Sequence, residues 1–122
     1  MKTMDVAQKL VELCKQGKNL DAINSLYAED VVSVEAAAMG GQPRELRGLA
    51  TVRKKSEDWR AMNEVHAASV EGPWPHDDKF IVRFSYDITN KHMNQRMKMD
   101  ETALYWVKDG KIVREEFFYH MG

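Results

Sequence analysis

The chain contains 122 residues, enough to bury one hydrophobic core, so we expect a single domain over residues 1–122. Its 18 basic and 19 acidic residues leave a formal net charge of -1, which excludes the strongly basic surface typical of proteins that bind nucleic acids or anionic membranes. The only cysteine, Cys14, has no partner for an intramolecular disulfide, and no apolar run has the length of a signal peptide or a membrane span. We therefore predict a cytoplasmic protein without nucleic-acid or membrane partners.

Apolar residues recur at helical spacing in three segments of the N-terminal half. The first segment covers residues 6–14 and is followed by Gly17, a residue type that commonly ends a helix. The second covers residues 20–27, and the third follows Gly48 and carries Trp59 on its apolar side. The sequence therefore predicts three helices before a strand-rich C-terminal half.

Alternating or β-branched apolar runs predict five strands. The first ends near Glu35, and the loop over residues 36–48 that follows is long enough to cover part of the structure. The second is expected to end at residues 72–75, where Gly-Pro-Trp-Pro breaks the pattern. Helices followed by mostly adjacent strands indicate an α+β fold with an antiparallel sheet. The predicted strands cover residues 31–34, 65–70, 79–90, 96–108 and 111–120.

A carboxylate interrupts the apolar row of the fourth predicted strand. The alternate positions of this strand are Met97, Met99, Glu101, Ala103, Tyr105 and Val107. An ionised carboxylate that faces a largely dry space is costly unless it is paired, hydrated or protonated. Either this face lines a cavity, or Glu101 has a buried partner.

The turn at Asp109-Gly110 decides which residues share a face with Glu101, because a shift of one residue turns a whole strand over. A two-residue loop places Glu101 beside Phe118 and His120. We expect instead a three-residue loop that begins at residue 108, because its register gathers the aromatic and apolar positions of one row. That register pairs Tyr105 with Val113, Ala103 with Glu115, Glu101 with Phe117 and Met99 with Tyr119.

Glu101 and Glu115 then lie on the concave face of the sheet, about one diagonal neighbour apart. Two carboxylates that close in a poorly hydrated space do not both ionise freely, so one is expected to have a raised pKa that suits general acid–base catalysis. The alternative is that both form ordinary salt bridges with a lysine or an arginine. His66 alternates with Ala68 and Val70, so we expect it to face the same interior.

Large apolar side chains are predicted to line that interior as a cavity for a small, mostly hydrophobic ligand. The competing interpretation is a filled core. The sequence contains no metal-ligand spacing and no cofactor fingerprint, so we expect neither group, with a site formed by His66 and two glutamates as the metal alternative left open. The predicted ligand-binding residues are Trp59, Phe84, Tyr86, Met99, Tyr105, Phe117 and Tyr119.

The opposite face of the sheet is also predicted to carry apolar residues. Exposed apolar side chains in such number indicate a partner surface, most simply a two-fold homodimer formed through the sheet. The alternative is partial exposure of scattered apolar residues. The residues concerned are Ile81, Leu104, Trp106, Ile112 and Phe118.

Three local motifs accompany this order of helices and strands. Residues 26–32 read Leu-Tyr-Ala-Glu-Asp-Val-Val, Gly48 precedes the third helix, and residues 109–113 read Asp-Gly-Lys-Ile-Val. Together they resemble the SnoaL-like branch of the nuclear transport factor 2-like superfamily over nearly the whole chain. The resemblance implies a cone-shaped α+β fold, in which a strongly bent, mixed or antiparallel sheet wraps around the helices and encloses a pocket. It also implies a sheet-packed dimer.

The resemblance further implies a class of chemistry. Members of the superfamily include polyketide cyclases, ketosteroid isomerase, dehydratases and epoxide hydrolases. The isomerase places its general base just after the first strand, where this chain has Glu35, but its first-helix tyrosine has no counterpart and its late-strand acid falls near Ala103. A cyclase-like mechanism needs only one carboxylate in an apolar pocket.

We therefore predict a cofactor-free acid–base enzyme that acts on a small hydrophobic carbonyl compound. Glu101 or Glu35 takes the proton next to the carbonyl, with Glu115 or His66 assisting. The carbonyl oxygen is polarised by Tyr86, His66 or Tyr119. The alternatives are a non-catalytic binding protein for a hydrophobic ligand and a dimerisation module.

Overall fold

The computed structural model describes residues 2–38 and 41–120, which form three helices and six strands. Met39 and Gly40, in the middle of the predicted covering loop, lie outside the described residues. In the described ranges, no helix is both long and apolar enough to cross a membrane. The elements are α1 (Thr3–Lys15), α2 (Asn19–Leu26), β1 (Tyr27–Val34), β2 (Glu45–Arg47), α3 (Leu49–Met62), β3 (Asn63–His76), β4 (Lys79–Asn90), β5 (Gln95–Lys108) and β6 (Lys111–Phe118).

Each helix buries one apolar stripe, as its spacing predicts. The predicted end of the first helix at Gly17 is confirmed, because Gly17 adopts a left-handed φ of 74° and the amide of Lys18 donates to the carbonyl of Leu13 at 2.9 Å. Helix α2 passes directly into β1 at Tyr27, so this tyrosine begins a strand and does not end a helix. The buried helix residues include Val6, Leu10, Cys14, Ile23, Leu26 and Val52.

The strands of the described residues form one open, mixed sheet in the order β2-β1-β6-β5-β4-β3. Strands β1 and β6 pair in parallel, and the other neighbours pair antiparallel. Irregular pairing in β3 and between β5 and β6 bends the sheet around α1, which packs across β3, β4 and β5. The result is the cone-shaped α+β fold that the sequence predicts.

Strand β3 does not end at residues 72–75, so that prediction is wrong. It continues to His76 across a shift in pairing between Glu71 and Trp74. Gly72 permits the shift with a φ of 115°. Since β3 is an edge strand, its prolines remove no hydrogen bond that the sheet requires.

The last hairpin has a two-residue turn, so the predicted three-residue loop is wrong. Asp109 and Gly110 both have positive φ, and Val107 pairs with Ile112. A bulge between Trp106 and Val107 then shifts the pairing, and Tyr105 lies opposite Glu115 instead of Val113. Beyond the bulge, the observed and predicted partners differ by two positions, so the side chains there remain on the predicted face.

The outer face of the sheet carries most of the apolar residues that were expected there. Ile81 and Phe118 are 38% and 48% exposed, and Trp74 of the edge strand is 51% exposed. Leu104 and Trp106 are half-buried. Ile112 is fully buried, so its prediction as an outer residue is wrong, because the two-residue turn places it opposite the inward-facing Val107.

Candidate active site

Glu115 is a buried carboxylate held by two hydroxyl donors. In the parallel pairing of β1 and β6 it lies beside Ser33, and its side chain is almost fully enclosed. The Ser33 hydroxyl donates to Glu115 Oε2 at 2.6 Å, and the Tyr27 hydroxyl donates to Oε1. Burial and the Glu115 charge raise the pKa of Tyr27 well above its ordinary value, so Tyr27 remains a proton donor.

Lys55 of α3 brings a positive charge to this carboxylate. Its Nζ lies 2.6 Å from Ser33 Oγ, 2.6 Å from Glu35 Oε1 and 3.8 Å from Glu115 Oε2. It also lies 4.9 Å from the centre of the Phe117 ring, within the range of a cation–π contact. The lysine therefore connects the end of β1, helix α3 and strand β6.

Glu35 is held at both of its oxygens. Lys55 donates to Oε1, and the Tyr119 hydroxyl donates to Oε2 at 2.9 Å. Burial and then the Glu35 charge raise the pKa of Tyr119 to about 12. Lys55, which the sequence did not single out, thus brings together the predicted candidates Glu35, Glu115 and Phe117, and Tyr119 joins them through Glu35.

Glu101 differs from these carboxylates because it accepts no hydrogen bond and forms no ion pair within residues 2–38 and 41–120. It lies opposite Phe84 on the inner face, in the row of Met99 and Ala103. Burial raises its pKa to about 7, and the charges of Glu35 and Glu115 act in the same direction. Lys55 only partly opposes these effects.

The predicted alternatives for the glutamate pair therefore apply to different residues. Glu115 follows the salt-bridge alternative, because it has Lys55 at 3.8 Å and two hydroxyl donors. Glu101 follows the other alternative, that of an acid–base group, because it is a half-buried carboxylate with a raised pKa. A carboxylate that exchanges its proton near neutral pH is the group that general acid–base catalysis needs.

Aromatic side chains surround the inner row. The rings of Trp59 and Tyr86 have centroids 5.2 Å apart, and Phe84 stacks on Tyr86 at 6.1 Å. Tyr105 is buried and stacks on Phe80 at 4.8 Å, as a core residue would. Burial is the main cause of the raised pKa of Tyr86 and Tyr105, so both hydroxyls remain neutral.

Two cavities open near the described residues, and neither is lined by Glu101 or Glu115. One, of about 540 Å³, lies between the start of α1 and the turn at Asp109-Gly110. The other, of about 400 Å³, is lined by residues 67–69, 85–87 and 98–100. Of the predicted ligand-binding residues, Tyr86 and Met99 border this second cavity.

His66 does not join the interior, so its predicted orientation is wrong. It is exposed, and its Nε2 lies 2.7 Å from the hydroxyl of Thr89, which belongs to the outward row of β4. A shift in pairing between Val65 and Ala67 interrupts the alternation on which the prediction rested. The His66–Glu–Glu metal alternative loses its histidine, and the described residues contain no group of three or more histidine, cysteine, aspartate or glutamate side chains placed to bind a metal.

Sequence reasoning missed Tyr27, Ser33 and Lys55. A signal existed for Lys55, which lies three residues after Val52 and four before Trp59 on the apolar side of α3. A weaker signal existed for Ser33, which alternates with Val31 in β1. No signal existed for Tyr27, because its spacing from the apolar residues of the second helix placed it in that helix.

The chain belongs to the SnoaL-like domain family, which matches residues 1–119. No match is found among curated proteins. A Mesorhizobium loti protein, described as a candidate SnoaL-like polyketide cyclase, is 42% identical with a TM-score of 0.91, and the match covers 98% of this chain and 100% of that one.

More distant structures share the fold alone. A candidate isomerase from Bacillus subtilis is 16% identical with a TM-score of 0.76, over 97% of this chain and 86% of that one. A Catenulispora acidiphila protein with a ketosteroid isomerase-like fold, solved with trimethylamine, is 17% identical with a TM-score of 0.74, over 95% of this chain and 85% of that one.

Proposed function

We propose that this protein is a cofactor-free acid–base enzyme in which Glu101 removes a proton from the carbon next to the carbonyl of a small hydrophobic compound. The observation that carries the proposal is the state of Glu101, a half-buried carboxylate without a partner among the described residues and with a pKa raised to about 7. A base with a pKa near the working pH combines a large ionised fraction with strong proton affinity.

Glu101 suits the role of base better than Glu35, the other candidate. Lys55 and Tyr119 hold the two oxygens of Glu35, and a proton transfer to it would break these contacts. Glu101 faces Phe84 and stands beside Met99, which suits a hydrophobic substrate. Tyr86 lies opposite Met99 and remains neutral, so we assign to it the donor role toward the carbonyl oxygen.

A non-catalytic binding protein is the second candidate function. The placement of the predicted oxygen-polarising residues favours it, because His66 faces outward and the Tyr119 hydroxyl already donates to Glu35. In that case, the inner row would hold a hydrophobic ligand without changing it. The chemical fate of the ligand separates the two functions.

Exchange of ketone protons for deuterium tests the proposal. We expect the wild-type protein in D2O to accelerate the loss of α-proton NMR signals from members of a panel of small cyclic ketones. The rate should rise with pH and level off above about pH 7, as Glu101 ionises. The absence of acceleration for every ketone, together with an unchanged ligand found by native mass spectrometry, would favour the binding protein.

We also propose that the protein is a homodimer formed through the outer face of the sheet. Trp74, Ile81 and Leu104 lie side by side across three strands, which gives this face a continuous apolar row. The dimer and the cytoplasmic location stay predictions of the sequence.

Sedimentation velocity tests the dimer. We expect the wild-type protein to sediment at twice the chain mass of 14.1 kDa. Leu104→Asp should sediment as a monomer, because it places a charge within the apolar row. Lys9→Asp, on the exposed side of α1, serves as the control and should remain dimeric. A wild-type monomer would refute the interface.

A further inference from the structure

Lys55 pairs with two of the three inner carboxylates. Lys55 Nζ lies 2.6 Å from Glu35 Oε1 and 3.8 Å from Glu115 Oε2, and it forms no ion pair with Glu101. Its side chain is 24% exposed, and Ser33 accepts another of its hydrogen bonds at 2.6 Å. These contacts hold the ammonium group on the side of Glu35 and Glu115.

We propose that Lys55 is a positioning residue for the reaction proposed above: by pairing with Glu35 and Glu115, it leaves Glu101 as the carboxylate that accepts the proton. The catalytic role of Lys55 in this inference rests on the proposed function. The electrostatic effect of Lys55 on Glu101 does not depend on that function. Lys55 acts through its charge and through its pairing with these carboxylates, and it is not expected to bear the transferred proton itself.

The charges around Glu101 come from several elements. Glu35 follows β1, Lys55 lies on α3 and Glu115 lies on β6. The tyrosine hydroxyls that face this interior are neutral; they belong to Tyr86, Tyr105 and Tyr119. Lys55 lowers the pKa of Glu101, and the two glutamates raise it. Removal of the positive charge leaves two negative charges unopposed, so the pKa of Glu101 must rise further.

NMR titration of the glutamate carboxyl carbons tests the inference without any substrate. In Lys55→Gln, which keeps hydrogen-bond donors but loses the charge, we expect the midpoint of Glu101 to rise by about one pH unit. Lys55→Arg should restore the wild-type midpoint, because the charge returns. Lys54→Gln is the matched control: Lys54 is the neighbouring lysine, 71% exposed and paired with Asp58, and its loss should leave the midpoint unchanged.

In the same variants, the pH at which the ketone exchange rate rises should shift together with the Glu101 midpoint. Below the wild-type midpoint, exchange by Lys55→Gln should be about tenfold slower than exchange by the wild type. An unchanged Glu101 midpoint in Lys55→Gln, or an equal change in Lys54→Gln, would overturn the inference. If the wild-type protein shows no ketone exchange but the midpoint moves as expected, the electrostatic role of Lys55 stands and the proposed function fails.

A measurement on the wild-type protein covers the case in which Lys55→Gln does not fold. The ¹⁵N shift of the Lys55 ammonium group should inflect at the Glu101 midpoint of about pH 7, because the lysine senses the new charge. A Lys55 shift that passes through this pH range without an inflection would overturn the inference equally.

Discussion

Glu101→Gln is expected to slow ketone proton exchange by about 10²- to 10⁴-fold, the usual contribution of a general base. The amide keeps the size of the carboxylate but cannot accept the proton. Glu116→Gln is the matched control, because Glu116 lies on the outward row of β6 and pairs there with Arg114. Its exchange rate should equal that of the wild type. Full activity in Glu101→Gln would remove Glu101 from the mechanism.

The same substitution, Glu101→Gln, should also stabilise the protein at pH values above about 4.5, and most strongly above neutral pH. The pKa of Glu101 rises from 4.5 to about 7 on folding, so the native state binds more protons than the unfolded state between these values. Stability is therefore lost as the pH rises through this window. From the size of the pKa change, we expect Glu101→Gln to raise the free energy of unfolding by about 3 kcal/mol at pH 8.

Urea denaturation at pH 4 and pH 8 measures this effect. At pH 4 the wild type and the variant should have nearly the same stability, because Glu101 is protonated in both the folded and the unfolded chain. A stabilisation that does not depend on pH would show that the carboxylate is not the cause. A destabilised variant at pH 8 would show that Glu101 has a favourable partner.

Glu115→Leu is expected to have the largest effect on stability. The carboxylate accepts hydrogen bonds from Tyr27 and Ser33 and lies 3.8 Å from Lys55, and its removal leaves these enclosed groups without their acceptor. Loss of one partner from a buried charge network costs about 3–5 kcal/mol. Glu115→Gln keeps an acceptor oxygen, so it should cost less.

Glu116→Leu provides the control for that experiment. Glu116 is the next residue, lies on the opposite face of β6 and contacts Arg114 at 3.3 Å. A partly exposed pair of this kind contributes little to stability. Urea denaturation at pH 7 should therefore separate the two leucine variants widely. Equal losses would contradict a structural role for the Glu115 network.

The inner face of the sheet was predictable from the sequence because period-two patterns are local. Phe80, Phe84 and Glu101 face the interior as their alternation indicates. The register of the last hairpin was predictable only in part, because Asp109-Gly110 is typical of a two-residue turn but no residue pattern marks the bulge at Trp106. Beyond the bulge the predicted faces were nevertheless right, because the observed and predicted pairings differ there by two residues.

The partners of the inner carboxylates were predictable only in part. Ser33 and Glu115 are 82 residues apart in the chain and meet because β1 and β6 pair in parallel, a choice that local patterns do not encode. Lys55 stands on the apolar side of α3, where a lysine is a visible anomaly that points to a buried acid. For His66, the sequence predicted an inward side chain from its alternation with Ala68 and Val70. The shift in the pairing of β3 reverses that orientation, so His66 faces outward.

The carboxyl group of Glu101 can be followed directly by NMR titration of protein labelled with ¹³C-glutamate, its signal assigned by its absence in Glu101→Gln. We expect a midpoint at about pH 7, because the group is half-buried near two other carboxylates and has no partner of its own among the described residues. A midpoint near 4.5, the ordinary value, would show a hydrated or paired carboxylate and would contradict the proposed base.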